Sequence, residues 1–228
     1  MPKIFHRQLR PPFIGELGLW QISEPEVFFL EQLNLTKVEE NEIAALKGHR
    51  RLEWLSGRLL LHDMSGRAVR GACLKDEFGK PYLLDSPYHI SISHSNNIVA
   101  IIASPRSVGI DVQKLVGKIE RIAHKYMRPE EMESLHDKTR LEHLHVYWGA
   151  KEALYKAYGR RKLDFRKHIL IEPFEFDLQQ GLCKGAVKKE DFHARYLISY
   201  VQLEEFILVT AIEETETIPP PAPTTKPS

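Results

Sequence analysis

The run Asn97-Ile-Val-Ala-Ile-Ile-Ala-Ser104 constrains the fold more than any other part of the chain. Every residue from Ile98 to Ala103 is apolar and most are β-branched, so the segment reads as a buried strand and demands a sheet around it. Ser104-Pro-Arg-Ser107 supplies a turn, and Ser107-Val-Gly-Ile-Asp-Val-Gln-Lys114 reads as a second strand with Asp111 near its end. Upstream, His89-Ile-Ser-Ile-Ser-His-Ser95 alternates small polar and apolar side chains as a half-buried strand does, and Gly79-Lys80-Pro81 is a turn signal that holds a lysine at a loop.

Two long helices accompany these strands. Residues 50–64 carry Leu52, Leu55 and Leu59 at helical spacing, with Trp54 beside them, and residues 141–158 lack proline and are rich in good helix formers. Further strands are expected at Ile169–Ile171, Phe174–Phe176, Ala194–Tyr200 and Phe206–Ile212. The expected organisation is α+β (with α/β character): a first half over residues 1–111, a second over 112–214, and a Pro/Thr-rich tail over 215–228 that should be extended or disordered. The first eleven residues suggest no element.

Composition narrows the function classes. Of 228 residues, 43% are hydrophobic and 28% charged, enough for a substantial core, and 32 basic side chains against 31 acids give +1, which argues against a nucleic-acid binder. No apolar run reaches membrane-spanning length, and no signal peptide is expected from Met1-Pro-Lys. The two cysteines, Cys73 and Cys183, stand in unrelated contexts and read as reduced thiols of a cytoplasmic protein. The eleven histidines are scattered, without the companions of a zinc site.

Chemistry gathers in three segments. An acid embedded in an apolar strand needs a partner, and for Asp111 that is either a buried Lys or Arg or a hard divalent cation shared with another carboxylate. Residues 148–156 read Trp-Gly-Ala-Lys-Glu-Ala-Leu-Tyr-Lys; helical spacing puts Glu152 above Lys156 with Lys151 beside them, which fits a solvated ion pair as well as a catalytic patch. Lys80, Ser93 and His94 could donate to phosphate oxygens, though each also reads as an ordinary core or surface residue. Arg51 and Arg58 carry planar forks suited to phosphate, or lie on a solvated basic face.

The order GKPYL, SISHS, GID and WxxKEAxxK, from about Phe78 to Lys156, resembles the Sfp-type 4′-phosphopantetheinyl transferases, in the subgroup whose last motif reads W-x-x-K-E-A. The resemblance implies two similar α/β halves packed as a pseudo-dimer, with the active site in the crevice between them, and a monomer. It implies transfer of the phosphopantetheine arm of coenzyme A to a serine of an apo acyl or peptidyl carrier protein (holo-ACP synthase activity), releasing adenosine 3′,5′-bisphosphate. On this reading Asp111 and Glu152 would hold Mg²⁺, Glu152 would also be the general base, and Lys156 would pair with a phosphate. Lys80, Ser93, His94 and Lys151, with Arg51 and Arg58, would bind coenzyme A. Family members often carry an acid two residues after the first aspartate; here Gln113 stands there, expected as a neutral third ligand or the holder of a water. Residues 119–138 resemble the mobile helical region that receives the carrier, although Ile122, Tyr126 and Met127 fit a core equally well. A coenzyme A-binding module without turnover stays open, as does an unrelated Mg²⁺-dependent phosphohydrolase or nucleotidyl transferase.

Overall fold

The computed structural model describes residues 3–214. Two antiparallel sheets carry the architecture. The first contains β1 (Lys3–Gln8), β2 (Glu16–Gln21), β3 (Cys73–Lys75), β4 (Pro81–Leu83), β5 (His89–Ser95) and β6 (Ile98–Ser104), in the order β1-β2-β6-β5-β4-β3. The second contains β7 (Val108–Lys114), β8 (Ile169–Ile171), β9 (Gln180–Lys189), β10 (Phe192–Leu203) and β11 (Phe206–Glu213), in the order β7-β11-β10-β9-β8. Helices are α1 (Glu26–Gln32), α2 (Lys37–Ala44), α3 (His49–Ser65), α4 (Ile119–Tyr126), α5 (Pro129–Glu133) and α6 (Arg140–Tyr158). The α+β class expected from sequence is what the chain adopts.

Each sheet is covered by one long helix. Leu55, Leu59 and Leu60 of α3 pack with Val99 and Ile101 of β6, while Leu144, Ala150 and Leu154 of α6 pack with Val209 and Ala211 of β11. A third cluster joins the two sheets, with Ile98, Ala100 and Ile102 of β6 against Val108, Ile110 and Val112 of β7 and Leu208 of β11. Alternate side chains of β6 therefore enter different cores. This is why residues 98–103 show no polar alternation: neither face of that strand meets water.

Sheet membership changes at the 105–107 turn, between β6 and β7. The expected boundary at residues 111/112 thus falls inside β7, which pairs with β11 along its length, Asp111 opposite Val209. The edge of β7 that faces the first sheet is stitched by side chains. The N–H groups of Ile110, Val112 and Lys114 donate to the hydroxyls of Ser91, Ser93 and Ser95 at 3.2, 3.1 and 3.2 Å. Three serines spaced by two stand in for a neighbouring strand's carbonyls, satisfying an edge that would otherwise be buried unpaired.

Other local expectations changed. Phe174–Phe176 is not a strand; its two rings pack instead around His143 and Tyr200. β1, β2 and β9 arise where no strand was expected, and Thr36 starts α2 with a reciprocal capping box to Glu39. Tyr126 and Met127 are core residues, Tyr126 donating to the Leu144 carbonyl at 3.2 Å. The expected tail at 215–228 lies outside the described residues.

Candidate active site

The site is built where α6 lies across β7. Strand alternation turns Gly109, Asp111 and Gln113 toward the helix while Val108, Ile110 and Val112 enter the inter-sheet core. Gly109 touches the helix backbone: a Cβ there would lie 1.7 Å from the Ala153 carbonyl oxygen. Gly149 does the same from the helix side, where a Cβ would lie 2.7 Å from Val209 Cγ2 and 2.8 Å from Gln113 Nε2. These two glycines let α6 settle onto the second sheet, which delivers its polar side chains to Asp111.

Lys156 is the hub. Its ammonium donates to Asp111 Oδ1 at 2.8 Å, to Ser93 Oγ at 2.9 Å and to the Ile110 carbonyl at 2.9 Å. Ser93 donates to Asp111 Oδ1 at 3.1 Å and accepts from the Val112 N–H. Asp111 is buried at 7% exposure, so the pairing with Lys156 is what makes a charge tolerable inside the strand. Glu152, one turn before Lys156, is half-buried and has no hydrogen bond to the described residues. Burial pushes its carboxyl up, the neighbouring Asp111 charge pushes further, and Lys156 opposes both. The two carboxylates thus act on one another, and Lys156 is ion-paired to Asp111.

Lys80 reaches this region from the first sheet. Asp76 accepts from the N–H groups of Phe78 and Lys80, fixing the β3–β4 turn, and Lys80 Nζ donates to the Ala157 carbonyl at 2.6 Å. Burial pulls its ammonium down from the usual lysine range, partly offset by Asp76 and Glu213. Lys80 and Lys156 line one cavity of about 220 Å³.

Several expected site residues are engaged elsewhere. Lys151 does not share a patch with Glu152 and Lys156: it is fully buried, ion-paired to Glu131 at 2.9 Å, and donates to the carbonyls of Phe165 and Ile169. Glu131 also accepts from the N–H groups of Arg128 and Ile171. This closed node ties α5 and β8 to α6, leaving Lys151 no hydrogen bond to give a phosphate. Gln113 is likewise committed. Its Nε2 donates to the His145 carbonyl at 3.0 Å, and its Oε1 accepts from His145 Nδ1 at 2.9 Å. The N–H and the carbonyl of Val116 both face His145 Nε2, at 3.0 and 3.2 Å, so ring and amide are held from both sides. The expected ligand oxygen is therefore spent on a histidine.

Arg51 closes on Glu26 and the Ile43 carbonyl, clamping α1 and α2 to α3. Arg58 lies 3.9 Å above the Trp54 ring and pairs with Glu42 at 3.3 Å. Neither lines the Lys80–Lys156 cavity. Ser93 gives one hydrogen bond, to Asp111, and accepts two, from the Val112 N–H and from Lys156. His94 points to the opposite face of β5 from Ser93 and pairs with Glu53 of α3 at 3.2 Å, its ring more than half exposed. The two carboxylates both come from the second half, β7 and α6, where one had been expected from each; the first half contributes Ser93 and Lys80.

The 4′-phosphopantetheinyl transferase superfamily model matches residues 107–211, from the start of β7 to β11. The segment holds Asp111, Glu152 and Lys156 together with the helix and strand that join them. A 4′-phosphopantetheinyl transferase of Bacillus subtilis is 30% identical over 88 residues, covering 37% of this chain and 39% of that protein. The 4′-phosphopantetheinyl transferase gsp of Aneurinibacillus migulanus is 30% identical over 109 residues, covering 46% and 44%. The chain spans about two fifths of the length of these curated relatives. The match spans the GID and WxxKEAxxK motifs, while GKPYL and SISHS lie before it. Among the described residues no helix is long and apolar enough to cross a membrane.

Proposed function

We propose that this chain is a 4′-phosphopantetheinyl transferase that moves the phosphopantetheine arm of coenzyme A to a serine of an apo carrier protein. The observation that carries the reading is the convergence of Asp111, Glu152 and Lys156 beside a cation-lined cavity, inside the segment matched to the superfamily.

The two carboxylates fit a magnesium ion that arrives with phosphates. Asp111 lies close enough to raise the Glu152 carboxyl, and the described residues contain no group of three or more His, Cys, Asp or Glu able to cage a metal alone. A hard cation held by one or two carboxylates and completed by substrate phosphate oxygens is the habit of Mg²⁺. When bound, it would neutralise the coenzyme A pyrophosphate and polarise the phosphorus under attack.

The chain's own residues do the rest. Glu152 takes the proton of the carrier serine, and its raised proton affinity suits it to the work of a base. The serine oxygen bonds to phosphorus as the pyrophosphate P–O bond breaks, and adenosine 3′,5′-bisphosphate departs with the electron pair. Lys156 exchanges a hydrogen bond to Asp111 or Ser93 for one to the departing phosphate. Asp111 and Ser93 hold the ammonium in place until then. Lys118, Arg121, His124 and Lys125 stand exposed on and just before α4, with Glu120 the one exposed acid among them, which suits an acidic carrier. A single-chain cytoplasmic monomer completes the reading, with the two helix-covered sheets as its pseudo-equivalent halves.

The test is intact-mass analysis of apo acyl and peptidyl carrier proteins after incubation with the protein, coenzyme A and Mg²⁺. A phosphopantetheine gain on at least one carrier is expected. No gain on any carrier overturns the reading, with coenzyme A binding alone pointing to a non-catalytic module.

A further inference from the structure

Beyond the catalytic cavity, the first sheet carries a groove of about 460 Å³ between β4, the start of β5 and the end of α6. Its walls are aromatic. Tyr82 and Tyr88 come from the first half and Tyr158 from the second, with Pro87, His89 and Arg160 completing the lining. Tyr82 is 41% exposed and Tyr88 42%, and Leu84 lies open in the same stretch of chain. An open apolar patch of this kind marks a place where something binds. Tyr158 is braced edge-on by Phe192 at 4.9 Å, and Arg160 lies over that same ring at 5.5 Å. The three tyrosine hydroxyls make no hydrogen bond with the described residues, so they are free to donate. Aromatic walls with spare donors suit a polyproline II ligand, which presents rings and carbonyls and has few N–H groups to satisfy.

This chain contains such a segment. Residues 219–223 read Pro-Pro-Pro-Ala-Pro, a run whose fixed φ favours polyproline II. They lie outside the described residues, whereas the place from which the chain leaves is described. β11 ends at Glu213, and the Glu214 N–H donates to the Arg195 carbonyl at 2.8 Å. Glu213 and Glu214 line a cavity that shares His89 with the aromatic groove, so the chain departs beside it. Residues 215–218 can bridge about 13 Å, and the five that follow cover about 15 Å as polyproline II. Charge agrees with the pairing. Glu216 precedes the prolines, while Lys80, His89 and Arg160 are the cations of the groove. Its one acid, Asp76, is already engaged by the N–H groups of Phe78 and Lys80.

We propose that residues 219–223 of this chain occupy the aromatic groove and tie the two halves together. Tyr82 and Tyr88 hold the segment from the first half and Tyr158 from the second. It then rims the catalytic cavity, with which the groove shares Lys80 and Gly159. The inference does not depend on the transferase reading. Its test is photo-cross-linking in the full chain from a benzophenone attached at Ala222→Cys, since Cys73 and Cys183 are buried. Illumination should join residue 222 to peptides containing Tyr82, Tyr88 or Tyr158 of the same molecule. Replacing Pro219, Pro220, Pro221 and Pro223 together by Ser should remove those products, because the segment then loses its preformed shape. Tyr88→Ala, at a largely exposed position, should lower their yield. Adducts only elsewhere, adducts that survive the proline replacement, or no adducts at all overturn the proposal. Cross-linked dimers through the same tyrosines also overturn it, making a second copy the host of the segment.

Discussion

At the scale of single residues, the same polar side chain means different things according to what has already claimed its hydrogen bonds. Gln113 looked like a neutral metal ligand because it stands where relatives often carry an acid, yet both ends of its amide are taken by His145. Gln113→Ala should therefore leave the Mg²⁺ dependence of transfer unchanged and lower stability by about 1–3 kcal/mol in chemical denaturation, the cost of stranding His145's buried groups. A shifted Mg²⁺ requirement would restore its ligand role. His143 is a second case. It is buried between Tyr147 and Phe176, with ring centroids at 5.1 and 4.9 Å, and neither nitrogen has a hydrogen-bond partner among the described residues. Burial, with nearby His136 adding to it, pushes its imidazole down to about 4. Between the unfolded value near 6.5 and about 4, the unfolded chain binds a proton that the folded chain refuses. Stability should thus fall as pH drops through that window. His143→Phe should remove about one proton from the slope of stability against pH there, and an unchanged slope would contradict the assignment.

At the scale of elements, the glycines of the last two motifs, Gly109 and Gly149, are contact points and not turns. Gly109 is an extended strand residue whose only special property is that the Ala153 carbonyl occupies the place of a side chain. Gly109→Ala should push α6 off β7, cost about 3 kcal/mol in urea unfolding, and reduce transfer by separating Glu152 and Lys156 from Asp111. A variant that melts like wild type would show that the helix does not need this closeness. Both long helices and the β5–β7 run were readable from sequence because their apolar patterns are long. Phe174 and Phe176 misled because two aromatics at strand spacing also suit an irregular segment draped over a helix. β1 and β2 carried too few β-branched residues to stand out, and α1 is a seven-residue helix whose fixing contact, Glu26 to Arg51, joins residues far apart in sequence.

At the scale of the molecule, the site was legible as a set of residues and not as an assembly. Asp111, Glu152, Lys156 and Lys80 were named from the motif order of the resemblance, and the structure brings Lys156 onto Asp111 and Lys80 to the end of α6. What sequence did not reveal was which partner each charge would find. Lys151 sits next to Glu152 in the chain and one side of a helix away in space, where Glu131 from a distant helix closes on it. Arg51 and Arg58 were drawn into the packing of the first half for the same reason. The serine stitch explains why the halves cohere: alternation on β5 gives one sheet the hydroxyls that the other sheet's edge requires.

Asp111 raises the Glu152 carboxyl, and Glu152 has no hydrogen bond among the described residues to offset its burial, so the pair weighs on the fold unless it serves the proposed chemistry. The most direct measurement is the transfer rate of Glu152→Gln on a carrier that wild type modifies, read by intact mass beside a thermal melt of the same sample. The predicted result is a variant at least as stable as wild type with no detectable phosphopantetheine transfer. A rate within about twofold of wild type would contradict the assignment of Glu152 as base and ligand.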